Sequence, residues 1–192
     1  MAGKDKKRRG TALPPPSSAA SARTVGLLVH GWLVFLHPLL LGQLEKLATA
    51  AEKEPALTPG PNRKLLGHLR DLMFDKIPHS PDAPAFRHGG ALRGGRREWF
   101  RAKTGNGRYR LFYRFDSRAR IIVYVWVNDD EHLRTIGARN DAYAEFGRML
   151  DAGNPPSSWE ELLAVARAEE AKNPKRHATF VRLVTPSKSK PK

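Results

Sequence analysis

Residues 99–115 read WFRAKTGNGRYRLFYRF, two runs of aromatic, large apolar and basic residues around Gly105-Asn106-Gly107. Glycine and asparagine tolerate the positive φ that tight hairpin turns demand, so the stretch predicts a β-hairpin. Side chains alternate along a strand. Arg108, Arg110, Phe112 and Arg114 therefore share one face, Tyr109, Leu111, Tyr113 and Phe115 the other, and Trp99, Arg101 and Lys103 share a face of the first strand. A two-residue loop sets odd positions before the turn beside even positions after it. Arg101 and Lys103 then lie beside Arg108 and Arg110. Like charges side by side on a sheet are destabilising, and an anionic ligand is the reason to collect four of them. The competing reading is a solvated outer face, and a three-residue loop would split the cations between faces. Arginine forks suit phosphate oxygens. On this reading the cationic face is exposed, and truncating Arg101 or Arg110 leaves no core cavity.

Outward from the hairpin, Ile121 to Val127 is continuously apolar, as a central strand requires. Asn128 to Asn140 is polar, and a helix follows near Asp141 to Leu150, with Tyr143, Phe146, Met149 and Leu150 inward and Gly153 to stop it. Ser158-Trp159-Glu160-Glu161 is a capping-box start for a last helix to about Lys172. Upstream, Pro38 fits the first turn of a helix to about Glu54, and Leu65, Leu69, Leu72 and Met73 define a second from about Asn62 to Lys76. Ile77 to Gly95 is a Pro- and Gly-rich connection. Two N-terminal helices, an antiparallel sheet with the basic hairpin and C-terminal helices make an α+β class.

The chain has 192 residues, with 34 Lys and Arg against 19 Asp and Glu, a net charge of +15. Residues 1–10 carry +4 of this and residues 172–192 carry +7; Arg87 to Arg120 alone carries +9, leaving the remainder of the body at −5. Basic charge focused on one region and two tails points to nucleic acid. There are no cysteines, which excludes disulfides and thiolate chemistry and fits a cytoplasmic home. The seven histidines show no ligand-like spacing, and no cofactor or metal is expected. Residues 1–24 read as a disordered basic arm, 25–172 as the folded domain and 173–192 as a basic tail in which Phe180, Val181, Leu183 and Val184 form a short apolar patch. Leu27 to Leu41 is the longest apolar stretch, broken by His30, Gly31, His37 and Pro38, too short to cross a membrane.

Gly31-Trp32, His37-Pro38, Ser80-Pro81, Ala85-Phe86-Arg87-His88-Gly89, the hairpin, Asn128-Asp129, Leu133-Arg134-Thr135 and Asp141-Ala142-Tyr143 occur in the order seen in the YhaV family. From about Val29 to Glu169 the chain resembles these bacterial type II toxins, which are similar to the RelE superfamily of endoribonucleases. The resemblance implies a RelE-like fold and an mRNA interferase acting at the ribosome. It implies neutralisation by a PrlF-like antitoxin of the swapped-hairpin AbrB type, with operator DNA as a possible joint partner of the two.

The resemblance also puts Arg101, Lys103 and Arg110 where RelE-like toxins keep catalytic cations. Tyr143 takes the place of an aromatic that stacks on a base, and Arg134 supplies a further phosphate-binding cation. In this chemistry the substrate's 2′-hydroxyl attacks the adjacent phosphodiester, giving a 2′,3′-cyclic phosphate and a 5′-hydroxyl without a metal. Lys103 is the candidate general base. Arg87, His88, Arg108, Arg114 and His132 are candidate RNA-binding residues. A solvent-exposed loop histidine is the commoner reading of His132, helix-start residues rather than metal ligands that of Asp129 and Asp130, and core or partial core rather than base platforms that of Trp99 and Trp126. A non-catalytic nucleic-acid-binding module, or a repressor subunit, would display the same cationic face.

Overall fold

A computed structural model describes residues 26–55, 57–92, 94–128 and 141–175. The N-terminal arm, the tail from residue 176 with its apolar patch, and the candidates His132 and Arg134 lie outside the described residues.

The strands are β1 (Leu27–Val29), β2 (Trp32–Leu36), β3 (Phe100–Thr104), β4 (Tyr109–Asp116) and β5 (Ile121–Val127). They form one sheet in the order β1-β2-β5-β4-β3. As expected, β5 is central, and all seven of its residues are buried. Two expectations fail. The sheet is mixed rather than antiparallel, because β2 runs parallel to β5, with Leu33 beside Ile121 and Leu36 beside Tyr124. A hairpin also precedes the first helix. His30 and Gly31, which break the apolar run in the sequence, form its turn with φ of 46° and 78°. Positive φ at both central residues is what a type I′ turn needs.

The second break, His37-Pro38, is a helix start. His37 caps α1 (Pro38–Glu52), its Nδ1 accepting from the Leu39 N–H at 3.3 Å, and Pro38 occupies the first turn. Helix α2 (Pro61–Asp71) runs into a π-helical turn, Leu72–Lys76, and the short α3 (Ile77–His79). The extra residue of the π-turn keeps Leu72, Met73 and Ile77 all on the sheet while Asp75, Lys76 and His79 face out. Helices α4 (Ala142–Asp151) and α5 (Trp159–Lys172) follow the last strand.

The alternation of the strands divides the core in two. Trp32, Val34, Leu36, Phe100, Leu111, Tyr113, Ile122 and Tyr124 pack under α1, α2 and the π-turn. Phe35, Trp99, Phe112, Val123, Val125 and Trp126 pack under α4 and α5. Trp99 and Trp126 are core residues, 0% and 6% exposed. Two buried tyrosines tie the irregular segment after α2 to the sheet, Tyr124 Oη donating to the Met73 carbonyl at 2.8 Å and Tyr113 Oη to that of Pro81 at 2.7 Å.

Candidate active site

Strands β3 and β4 pair antiparallel, with Lys103 opposite Arg110 and Arg101 opposite Phe112. Four residues, Gly105 to Arg108, connect them, and Gly105, Asn106 and Gly107 all have positive φ. Four preserves the parity of two, so Arg101, Lys103 and Arg110 share a face; Arg108 falls in the turn instead of joining them.

That face is not a solvated one. It lies against α4, where Tyr143, Phe146 and Leu150 recur at helical spacing and Phe146 stacks on Phe112 at 4.2 Å between ring centroids. Arg101 is 9% exposed and Arg110 3%. The expectation that both stand on an open surface is corrected by the helix that covers it. Only Lys103 is exposed.

Two of the buried cations converge on Tyr143, which the Asp141 cap (Oδ1 accepting from the Tyr143 N–H at 2.8 Å) fixes at the start of α4. Arg101 Nε donates to Tyr143 Oη at 2.8 Å, and its Nη1 donates to the Ala85 carbonyl at 2.7 Å. The Arg110 guanidinium lies 5.6 Å from the centroid of the Tyr143 ring. Phe112 meets the same ring edge-to-face. Three residues separated by up to 42 positions in sequence thus form one cationic cluster around a phenol, with Lys103 beside it across the strand pair.

Asn128 holds the first turn of β4 in place, a task the sequence alone did not reveal. It is fully buried; its Oδ1 accepts from the Arg110 N–H at 2.6 Å and its Nδ2 donates to the Arg108 carbonyl at 3.0 Å. A bulge at Val125, between the pairs Phe112–Trp126 and Tyr113–Tyr124, turns two consecutive residues of β5 to the α4 side. Bulges of this kind re-aim side chains next to active sites. Gln43 of α1 clamps the end of β5, donating to the Val127 carbonyl at 2.7 Å and accepting from its N–H at 3.1 Å.

The other candidates are spread around this cluster. Arg87 is exposed, its guanidinium 4.6 Å from the Phe100 ring centroid, on the segment whose Ala85 carbonyl receives Arg101. His88 staples the glycine-rich loop, with Nε2 3.0 Å from the Arg96 carbonyl and Nδ1 accepting from the Leu92 N–H. Arg87, His88, Gly90, Arg96 and Arg97 line an open cavity of about 520 Å³. Arg108 is exposed at the turn. Arg114 lies between Trp99 and Trp159 and donates to the Ser157 carbonyl at 2.6 Å, so its guanidinium links the sheet to the start of α5; burial lowers its pKa. Elsewhere His30, Asp75 and His79 come together, a grouping that histidine spacing along the chain did not suggest.

Residues 34–167 match the model of the Toxin_YhaV family, described as a toxin with endonuclease activity of a toxin-antitoxin system. The toxin YhaV of Escherichia coli O6:H1 and the ribonuclease toxin YhaV of Escherichia coli K12 are each 37% identical to this chain over 140 residues, covering 70% of it and 91% of the relative. No solved structure gives a significant match. The match embraces β3, β4, β5 and α4, the elements that carry the cationic cluster, and the chain belongs to the YhaV family of toxins with endonuclease activity from toxin-antitoxin systems.

Proposed function

We propose that the chain is an endoribonuclease toxin that cleaves mRNA, at the ribosome, by attack of a substrate 2′-hydroxyl on its neighbouring phosphodiester. The convergence of Arg101 and Arg110 on Tyr143, with Lys103 opposite Arg110, carries this reading. In-line attack builds negative charge on the non-bridging oxygens, and fixed cations placed beforehand stabilise it without reorganising; one such contact is worth about 3 kcal/mol. Arg101 has two guanidinium nitrogens committed to Tyr143 and Ala85, which leaves Nη2 as the arm for a phosphate oxygen. Lys103, exposed beside it, takes the proton from the attacking hydroxyl as the neutral amine, and the departing 5′-oxygen takes its proton from water. Arg110 lies over the Tyr143 ring and Phe112 packs against its edge. Tyr143 accordingly orients Arg101 rather than offering an open platform to a base. Arg134 would add a further cation, and Arg87 and Arg108 extend the path for the strand.

A module that only binds phosphates needs exposed cations, whereas here two of three are buried and oriented by a phenol, which favours catalysis. The neutralising partner in this reading is a PrlF-like antitoxin. The deciding experiment is incubation of the purified chain with mRNA on translating ribosomes and with free RNA, the latter with and without a chelator, followed by end analysis. Fragments should carry 5′-hydroxyl and 2′,3′-cyclic phosphate ends in both conditions. Absence of cleavage both of free RNA and of mRNA on translating ribosomes, or cleavage of free RNA strictly dependent on a divalent ion, would overturn the mechanism.

A further inference from the structure

His30, Asp75 and His79 lie at the far end of the sheet from the β3–β4 turn, and His30 and His79 line a cavity of about 370 Å³ with Asp82, Phe115 and Arg120. One donor atom from each of the three lies within 4.8 Å of the others. His79 Nδ1 lies 3.3 Å from Asp75 Oδ1 and donates to the Asp75 carbonyl at 2.7 Å, a hydrogen bond that an ion bound at Nδ1 replaces and one bound at Nε2 keeps. The His30 and His79 rings lie with centroids 4.0 Å apart and planes inclined by 42°.

We propose that these three residues form a site for a borderline divalent transition ion, of which Zn²⁺ is the type. Two imidazoles and a carboxylate are the donor set such ions select, whereas magnesium and calcium favour all-oxygen sites. The ligands come from firmly held backbone. His30 occupies the first left-handed position of the type I′ turn, which fixes where its side chain leaves the chain. Asp75 and His79 stand four residues apart on the outer side of the π-turn and α3, the segment that Tyr124 and Tyr113 fasten to the sheet through the Met73 and Pro81 carbonyls. Single π-turns are frequent at functional sites because the extra residue redirects the side chains around it. All three ligands are exposed, so the ion needs no entry path and water completes its coordination. Bound there, it crosslinks the β1–β2 turn to the helical segment. Lys103 and Arg110 flank the opposite end of β4, so the site is independent of the proposed ribonuclease chemistry and compatible with chelator-resistant cleavage.

The test is a calorimetric titration of the chelator-stripped full chain with Zn²⁺, paralleled by visible spectra with Co²⁺. The expected result is one equivalent bound at about 10 µM or tighter, a d–d spectrum for Co²⁺ and a melting temperature a few degrees higher in excess Zn²⁺. His30→Asn keeps a residue that tolerates positive φ, and His79→Gln and Asp75→Asn keep exposed polar groups, so all three should melt like the parent without metal. Each should weaken binding at least ~10-fold and lose the thermal shift, while His68→Gln should change neither. Undiminished binding in His30→Asn and His79→Gln, or no stoichiometric binding by the parent, would overturn the site.

Discussion

At the scale of single residues, burial separates what a substitution does to the fold from what it does to the chemistry. Lys103 is exposed, so Lys103→Ala should leave stability within about 0.5 kcal/mol of the parent. The same change should slow RNA cleavage about 100-fold or more if the amine acts on the reacting phosphodiester. A parent-like rate in this variant, measured by end-labelled RNA, would remove Lys103 from the site. Arg101 behaves differently. Truncating it to alanine leaves the Tyr143 hydroxyl and the Ala85 carbonyl without their donor and removes a packed stem, at an expected cost of about 2–3 kcal/mol. Loss of activity in Arg101→Ala alone therefore says little. Tyr143→Phe is the cleaner probe: the ring stays in place, the acceptor of Arg101 Nε is lost, and stability should fall by about 1 kcal/mol. If Tyr143 orients the guanidinium, cleavage should drop with little change in RNA affinity. A drop in affinity alone would restore the base-stacking role.

At the scale of elements, the start of α1 and the end of α5 carry opposed titrations. His37, buried at the α1 cap, has its pKa lowered by desolvation to about 4. Its neutral form is favoured in the folded chain, so the stability it contributes is full above pH 6.5 and is lost as pH falls towards 4. Glu170 on α5 is buried too, and desolvation raises its carboxyl to about 7. Its contribution is full below pH 4.5 and is lost as pH rises through 7. Glu170→Gln should therefore stabilise the protein by about 2–3 kcal/mol at pH 8, with the gain vanishing near pH 4.5. Melting curves of both proteins at the two pH values test this, and a pH-independent difference would refute it. The same elements show which parts of the fold could be read in sequence. Pro38 and the Ser158 cap marked α1 and α5, whose starts are set by local hydrogen bonds: Ser158 Oγ accepts from the Glu161 N–H at 3.2 Å. The seven apolar residues of β5 marked a central strand. The β1–β2 hairpin was hidden because His30-Gly31 looked like an interruption of an apolar run, when it is the hairpin's turn. Parallel pairing of β2 with β5, some 88 residues apart, is absent from any local pattern. Strand alternation placed Arg101, Lys103 and Arg110 on one face, but alternation does not say what covers a face, and here α4 does. Asn128 read as an ordinary loop polar residue for the same reason.

At the scale of the whole molecule, the net charge of +15 is shared between the two terminal segments and the basic stretch from Arg87 to Arg120. The two core clusters are assembled from residues between Val29 and Ala166. Residues 1–23 and 176–192, which lie outside the described residues, carry ten net positive charges. Each cation that neutralises a phosphate of single-stranded RNA releases condensed counterions, at about 0.7 of a logarithmic unit in affinity per tenfold change in salt. Removing both terminal segments should therefore weaken RNA binding most at low salt and flatten the salt dependence. It should leave the melting temperature nearly unchanged, and cleavage at saturating RNA should persist because Arg101, Lys103, Arg110 and Tyr143 remain on β3, β4 and α4. The measurement is RNA affinity across a salt series for the full chain and for residues 24–175, with thermal melts of both. An unchanged salt slope would mean that the phosphates are met by the basic stretch from Arg87 to Arg120 alone. A fall of many degrees in melting temperature would instead assign the apolar patch Phe180 to Val184 to the folded body, and would move the domain boundary beyond α5.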